Sequence, residues 1–254
     1  MIKIDRTSTP CPEPLRSKGE KDLERLRRID PATLRGKDFR RSIYGSLPVK
    51  TALWKMQHGK CCYCEQELER KHSDVEHFRP KTEAVRDDGA ADPGYWWLAY
   101  RFDNLYFGCR VCNDNKGSRF PLRAGARALQ PEEDPRTVVE EAFLIDPGID
   151  DPEQHLIFLW LPGRGYVIAP LDQSKRGRIT KEVLDLDRDD LFRIRQQYYV
   201  KILEPLLERF ARAQEKGDQE ANTEIRRQAH SLTAADARFA LLARIALRAI
   251  LETA

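Results

Sequence analysis

Apolar residues recur at helical spacing in two short segments near the start of the chain. Residues 20–29 carry leucine and isoleucine at intervals of three on a charged background, and residues 48–57 begin with proline and repeat the pattern. Each segment therefore predicts an amphipathic helix. The residues before them include Pro10, Pro12 and Pro14, which cannot donate ladder hydrogen bonds, so the first segment predicts an extended arm.

The C-terminal half also shows hydrophobic patterning, with the alternation typical of strands in one segment and the helical period in others. Residues 155–169 alternate as two short strands around a loop with two glycines, which predicts a hairpin. Residues 180–186 and 189–216 follow the helical period, with a kink expected at Pro205. Residues 233–253 predict a closing helix with Thr233 as its N-cap. These elements indicate an α+β fold that is mainly α.

The middle of the chain differs from both ends in composition and periodicity. From residue 59 to 122 the periodicity weakens, and Cys, His, Asn, Trp and Tyr become frequent. We therefore divide the chain into an N-terminal arm with basic helices (1–58), a site-bearing core (59–122), and an acidic loop, hairpin and C-terminal helical region (123–254). Function is expected in the central segment.

Composition excludes a membrane protein. The chain has 254 residues, of which 41% are hydrophobic and 33% are charged, and no apolar run approaches the roughly 18 residues of a membrane span. The N-terminus lacks the apolar stretch of a signal peptide, so we expect a cytoplasmic protein. A reducing compartment disfavours disulfides, which gives the cysteines another role.

The charge is distributed unevenly. The first 60 residues hold 15 Lys and Arg against 7 Asp and Glu, although the whole chain has a formal net charge of only +3. This basic segment permits contact with a polyanion, and a solvated helix surface explains it equally well.

Five of the six cysteines fall into two clusters. Cys61 and Cys64 form one Cys-x2-Cys pair, and Cys109 and Cys112 form another 44 residues later, which is the spacing of a tetrahedral four-cysteine zinc site. Cys62 could replace Cys61 among the ligands. The sequence therefore predicts a structural Zn²⁺ site.

Further polar residues lie between and beside these pairs. Asp74-Val-Glu-His-Phe-Arg-Pro80 follows the first pair, Asn104 precedes the second, and Asn113 to Lys116 (Asn-x2-Lys) directly follows it. This order over residues 59–122 resembles the HNH endonuclease family. The flanking segments FRRSIYGSLPVKTALWKMQHGKCCYCE and LIDPGIDDPEQHL further resemble the HNH subunits of Septu-type and retron-associated anti-phage systems.

The resemblance implies a ββα-metal core braced by the zinc site, flanked by N-terminal helices and a C-terminal helical region. It implies that His77 is the general base, that Glu76 and Asn113 hold a catalytic Mg²⁺ or Mn²⁺, and that Asn104 orients the base indirectly. Imidazole suits the first role because its unperturbed pKa lies near neutrality. Glu and Asn replace the more usual Asp or His, and both keep an oxygen donor. Asp74 competes with Glu76 as the metal ligand.

Basic residues near this motif are candidates for phosphate contact, with solvated charges as the alternative. They are Arg79, Lys81, Lys116 and Arg119.

The function implied is a metal-dependent DNA endonuclease that acts in anti-phage defence with an ABC-type ATPase subunit. Residues 1–20 and the C-terminal helices are the expected docking surfaces for that subunit. The alternative is a zinc-stabilised, catalytically degenerate nucleic-acid-binding or adaptor module.

Overall fold

The structure is a computed structural model that describes residues 1–131 and 133–252, with only the backbone described at His72. It combines helices with small sheets. The helices are α1 (Glu20–Leu26), α2 (Arg41–Tyr44), α3 (Leu47–Met56), α4 (Arg110–Lys116), α5 (Lys175–Leu184), α6 (Asp189–Tyr198), α7 (Glu204–Lys216), α8 (Gln219–Thr233), α9 (Ala240–Ala246) and α10 (Arg248–Glu252). Among the described residues, no helix has the length and hydropathy needed to cross a membrane.

The strands form three two-stranded antiparallel sheets within the described chain. They pair β1 (Asp74–His77) with β4 (Leu105–Gly108), β2 (Glu83–Val85) with β3 (Ala91–Pro93), and β5 (Leu156–Leu161) with β6 (Gly165–Pro170). The mixed helix and strand content predicted from the sequence is confirmed, as is the hairpin near residue 160.

Strand β4 lies at the centre of the core. Its Leu105, Tyr106 and Phe107 are fully buried, and one edge of the strand pairs with β1. At the other edge the Gln57 side chain bonds both the N–H and the carbonyl of Phe107, at 2.8 and 2.7 Å. The Cys62 N–H also donates to that carbonyl, at 3.0 Å. The backbone N–H and C=O groups along both edges of this buried strand thus find hydrogen-bond partners, as burial of backbone polar groups requires.

The two N-terminal helices predicted from periodicity are confirmed as α1 and α3. The arm before them is not extended throughout, because Leu15–Gly19 form a π-helical turn that leads into α1. Its first residues pack on the chain's own core: Ile2 and Ile4 are buried, and Arg6 donates to the carbonyls of Phe102 and Leu105, both at 3.0 Å. That residues 1–20 dock a partner stays a prediction, and it would involve the exposed polar side chains of the arm.

The C-terminal helices differ from the prediction: α8 is an additional helix, and the predicted closing helix over 233–253 begins later and is divided into α9 and α10. Thr233 does not begin a helix; it ends α8, and its hydroxyl donates to the carbonyl of Ala229 at 2.9 Å. The next helix begins at Ala240. The long helix over 189–216 exists, but it is interrupted by a wider π-helical turn, Tyr199–Leu203, immediately before Pro205. This is where the missing N–H of proline disturbs the ladder of hydrogen bonds.

Candidate functional site

Four buried cysteines converge on one point. The sulfurs of Cys61, Cys64, Cys109 and Cys112 all lie within 4.8 Å of one another, and those of Cys64 and Cys109 are 3.8 Å apart. Four sulfurs at about 2.3 Å from a tetrahedral Zn²⁺ would be separated by about 3.8 Å. The cluster therefore has the dimensions and the donor type of a metal site such as a zinc centre.

Local structure brings the two cysteine pairs together. The first pair lies in a tight turn in which the Cys61 N–H donates to Gln66 and its carbonyl accepts from Glu65. The second pair directly follows β4, where Cys109 is the N-cap of α4 and its sulfur accepts from the Cys112 N–H at 3.4 Å. The converging group contains Cys61 and not Cys62. The geometry therefore favours Cys61 over Cys62 as the fourth metal ligand.

The C-terminal half contributes positive charge to this cluster. Arg188 donates to the Cys112 sulfur at 3.7 Å, and Arg195 is buried within electrostatic range of Cys64. A tetrathiolate centre around a divalent ion carries net negative charge, so two nearby guanidinium groups stabilise it. These arginines tie α6 and the segment before it to the cysteine cluster.

A second site lies on the other side of the β1–β4 pair. It is a cavity of about 310 Å³, and its walls are mainly polar. The end of β1 supplies Asp74, Glu76 and His77, and α4 supplies Asn113. Other wall residues come from α2, α3, the loop after β1 and the end of α4, and they include Arg41, Tyr44, Lys50, Pro80, Lys81, Thr82 and Gly117.

Glu76 is the most deeply placed acid in this cavity. Its side chain is 4% exposed, and its Oε1 pairs with the Lys116 ammonium at 2.7 Å. The same ammonium donates to the His77 carbonyl at 2.9 Å. Burial raises the pKa of the Glu76 carboxyl, while Lys116 opposes that shift. Lys116 thus fixes both the side chain of Glu76 and the backbone of its neighbour.

The ring of His77 is held in one tautomer. Its Nε2 lies 3.0 Å from the Ala99 carbonyl, and because a carbonyl can only accept, Nε2 carries the proton. The lone pair of the neutral ring is then on Nδ1. Burial, together with the charges of Lys81 and Lys116, holds the pKa of His77 well below its usual range. The ring also meets Tyr44 edge to face, with centroids 4.7 Å apart.

Asn104 braces the loop that follows His77. Its Oδ1 accepts from the Arg79 N–H at 2.9 Å, and its Nδ2 donates to the carbonyls of Arg79 and Leu98 at 3.1 and 3.2 Å. The side chain is buried and lies outside the cavity wall. Its contacts are therefore with the backbone of Arg79 and Leu98, and none of these bonds is to His77 itself.

Asn113 and Gly117 enclose the opposite wall. Asn113 directly follows a cysteine of the cluster, so one helical turn links the two sites. Gly117 ends α4 with a φ of 50°, a conformation that disfavours a side chain. Both residues line the cavity.

The structure separates the four candidates for phosphate contact. Lys81 lines the cavity, whereas Lys116 is 1% exposed behind Glu76. Arg79 is buried and pairs with Glu140 at 2.8 Å. Arg119 donates to the carbonyls of Asn115 and Val183. Arg79 and Arg119 are thus drawn away from the cavity by bonds within the chain, and only Lys81 of the four is a wall residue.

Sequence reasoning missed the cavity residues that lie before the cysteines, which are Arg41, Tyr44 and Lys50. The basic character of the first 60 residues was the available signal, but it did not indicate which cations approach the site. Lys50 donates to the Ser73 carbonyl at 2.7 Å, and Arg41 pairs with Asp74 at 3.4 Å. Both contacts anchor the N-terminal helices beside β1.

Comparison with known proteins gives three relatives. The chain is 34% identical to the Septu protein PtuB of Bacillus mycoides (strain KBAB4) over 200 residues, which cover 75% of this chain and 64% of that protein. It is 28% identical to the Septu protein PtuB of Bacillus thuringiensis over 151 residues, covering 59% of this chain and 45% of that protein.

The third relative is the Septu protein PtuA of Bacillus mycoides (strain KBAB4). It is 31% identical over 144 residues, which cover 56% of this chain and only 19% of that protein. No protein-family model matches the chain. The chain thus spans somewhat less than two thirds of the first of these relatives and much less of the others, and it is similar to Septu proteins over most of its own length.

Proposed function

We propose that this chain is a metal-dependent endonuclease that hydrolyses DNA phosphodiester bonds, and that β1, β4 and α4 are its HNH-type ββα core. One observation carries the proposal: a single cavity collects Glu76, His77 and Asn113 at the junction of the β1–β4 pair and α4. A scaffold has no chemical need for an acid, an imidazole and an amide in one polar cavity.

His77 supplies the general base in this proposal. The Ala99 carbonyl holds the Nε2 proton, so Nδ1 is free to take a proton from the attacking water. The buried bond fixes the ring, which lowers the reorganisation needed at the moment of reaction. Lys81 stands in the same cavity and would neutralise charge on the phosphate.

Glu76 and Asn113 would hold a Mg²⁺ or Mn²⁺ ion, with Asp74 as the remaining alternative to Glu76. All three offer the hard oxygen donors that these ions prefer, and all three line the same polar cavity. When bound, such an ion stabilises negative charge on the phosphate and on the departing oxygen. The chain's own contribution is to orient the two side chains, Glu76 through Lys116 and Asn113 through α4.

The four cysteines would hold a structural Zn²⁺ in this proposal. The ion closes a loop between residues 61 and 112 and fixes the start of α4, the helix that carries Asn113. Because all four ligands are thiolates and no position is left for water, the site suits a structural role.

The similarity to Septu proteins supports a role in anti-phage defence, and we propose that the chain acts there with an ABC-type ATPase subunit. The PtuA relative matches this chain over only 19% of its length, so in that protein the related region is covalently joined to a much larger remainder. A region that is joined to other sequence in one relative is a candidate to work beside a separate partner here. Affinity purification of the tagged chain from its native host tests this part: an ABC-type ATPase is expected to co-purify, and its absence would contradict the proposed association.

Metal-dependent cleavage of circular DNA tests the enzymatic proposal. Circular single-stranded DNA and supercoiled plasmid are each incubated with the zinc-loaded chain, with and without added Mg²⁺ or Mn²⁺. Linear products from the single-stranded circle, and nicked or linear products from the plasmid, are expected to require the added ion, since a circle has no ends for an exonuclease. Absence of cleavage of both substrates, with the ATPase subunit also supplied, would contradict the proposal.

The ion pair between Glu76 and Lys116 favours a second candidate function, that of a zinc-stabilised adaptor whose nuclease site is degenerate. In the structure an ammonium stands 2.7 Å from the proposed metal ligand, and a scaffold could use it in place of a metal. The adaptor reading predicts nucleic-acid or protein binding that added Mg²⁺ or Mn²⁺ leaves unchanged, together with no cleavage. The circular-DNA experiment therefore separates the two functions.

A further inference from the structure

The proposed catalytic groups lie below the molecular surface. His77 is 6% exposed and Glu76 is 3% exposed, and access to both is through the cavity of about 310 Å³. That volume is at the lower end of the roughly 300–1,000 Å³ of pockets that enclose a small ligand. A scissile phosphate must therefore enter the protein to reach the imidazole.

A tyrosine and a lysine flank the imidazole in this cavity. The Tyr44 ring stands edge-on to His77, and Lys81 Nζ lies 5.2 Å from the centre of the same tyrosine ring. In the described part of the chain Lys81 forms no ion pair within 4 Å; it faces the rings of Tyr44 and Phe39, and the Glu76 carboxylate lies within electrostatic range. An aromatic ring beside a cation is the combination that proteins use to bind single strands, by stacking and by backbone contact.

A duplex does not suit this geometry. Its phosphates lie along a regular double helix, and each is fixed between neighbouring nucleotides that remain stacked and paired. Bringing one phosphate to the bottom of the cavity requires local unpairing and unstacking, which costs a few kcal/mol in enzymes that extrude a nucleotide. A flexible single strand has no pairing to lose and can bend into the cavity.

We infer that the substrate of this site is single-stranded DNA, whose backbone enters the cavity past the wall formed by Tyr44 and Lys81. This inference rests on the proposed nuclease function and specifies its substrate. It also assigns a role to the basic N-terminal helices, since Arg41, Tyr44 and Lys50 all belong to α2 and α3.

Binding measured without cleavage tests the inference independently of activity. The full-length, zinc-loaded His77→Ala chain is titrated, without added Mg²⁺ or Mn²⁺, into fluorescently labelled 20-nucleotide single-stranded DNA, the matched duplex, and single-stranded RNA of the same sequence. We expect the single-stranded DNA to bind about tenfold more tightly than the duplex. Equal or tighter binding of the duplex, preferred binding of RNA, or binding of none of them would overturn the inference.

Substitution of the cavity cation locates the binding. Lys81→Ala is expected to weaken single-stranded DNA binding about tenfold and to reduce the salt dependence by about one phosphate contact, a change in slope of about 0.7. Lys216→Ala, which removes an exposed lysine of α7 outside the cavity, is the matched control and is expected to change neither. Equal effects of the two substitutions would place the single strand elsewhere.

Cleavage then separates failure of this inference from failure of the nuclease proposal. Wild-type chain with Mg²⁺ or Mn²⁺ is expected to linearise circular single-stranded DNA at least about tenfold faster than supercoiled plasmid. Faster cleavage of plasmid would overturn the single-strand inference and leave the nuclease intact. If neither circle is cut, with the ATPase subunit also supplied, the nuclease proposal fails, and the binding comparison still decides the preference for single strands.

Discussion

Removal of the Lys116 ammonium is a sharp test of how the cavity is held together. Lys116 is 1% exposed, and its ammonium contacts Glu76 Oε1 at 2.7 Å and the His77 carbonyl at 2.9 Å. Coulomb's law with an effective dielectric constant of about 20 gives an attraction of about 6 kcal/mol for unit charges at that separation. Desolvation of both charges offsets part of it, and loss of one partner from a buried pair costs about 3–5 kcal/mol.

Lys116→Met is therefore expected to lower the free energy of unfolding by about 3–5 kcal/mol. Most of that loss comes from leaving the Glu76 carboxylate buried without a counter-ion. The double variant Lys116→Met, Glu76→Gln removes both charges, so it is expected to be at least about 2 kcal/mol more stable than Lys116→Met alone. Urea unfolding followed by circular dichroism, on the zinc-loaded chain without added Mg²⁺, measures all members of the cycle.

An exposed pair on the same helix is the matched control. Arg110 and Asp114 lie 3.3 Å apart with both side chains more than half exposed, so Arg110→Ala is expected to cost less than about 1 kcal/mol. A loss below about 1 kcal/mol for Lys116→Met, or a double variant that is less stable than Lys116→Met alone, would show that the buried ion pair does not stabilise the fold as described.

Three further outcomes are expected. Cys61→Ser should lose bound zinc at least about tenfold more readily than Cys62→Ser, as measured by metal analysis after dialysis, because only Cys61 belongs to the converging four. Asn104→Ala should destabilise the chain by about 1–3 kcal/mol and slow DNA cleavage about tenfold or more at unchanged zinc content, because it unties the loop after His77. Asp22→Asn should make the stability of the chain fall less steeply as the pH is lowered. Burial alone would raise the pKa of Asp22, but the bonds from Arg25 and Tyr100 lower it below 3.8. The stabilisation by the ionised carboxylate therefore exists above that pH and disappears as the pH falls through the lowered pKa.

Each of these outcomes can fail in a distinct way. Equal zinc retention by the two cysteine variants would show that the cluster is not the metal site, and zinc loss from Asn104→Ala would show that its effect spreads beyond the loop. A thermal melting temperature that falls as steeply with acid in Asp22→Asn as in the wild type would remove Asp22 from the list of groups that govern acid unfolding.

Periodicity predicted those helices whose buried positions are large and apolar. Residues 189–216 were recognised for this reason, and the interruption before Pro205 follows from its missing N–H. Helix α8 was missed because Ile225 is the only large apolar residue among its buried positions, which also include Asn222, Ala229 and Thr233. A helix that packs through small and polar residues leaves little hydrophobic pattern in the sequence.

The candidate site was predictable where chemistry forces a local spacing. A two-residue gap between cysteines indicates a shared metal, and the structure brings those four sulfurs together. The partners of the basic residues were not predictable in this way. Arg79 finds Glu140, which lies 61 positions later, and Lys116 finds Glu76, which lies 40 positions earlier. Such pairings depend on the tertiary fold, so the sequence indicates these residues only as candidates for phosphate contact or as solvated charges.

The proposed function depends on His77 as the general base of a metal-dependent nuclease. The most direct measurement is the rate of circular DNA cleavage, with Mg²⁺ or Mn²⁺, by wild type, by His77→Ala and by His230→Ala, whose imidazole is exposed on α8. Zinc content and circular dichroism are matched beforehand. We predict that His77→Ala loses at least about a hundredfold in rate, within the range expected for a general base, while His230→Ala cleaves like wild type. Cleavage by His77→Ala at the wild-type rate would contradict this role of His77.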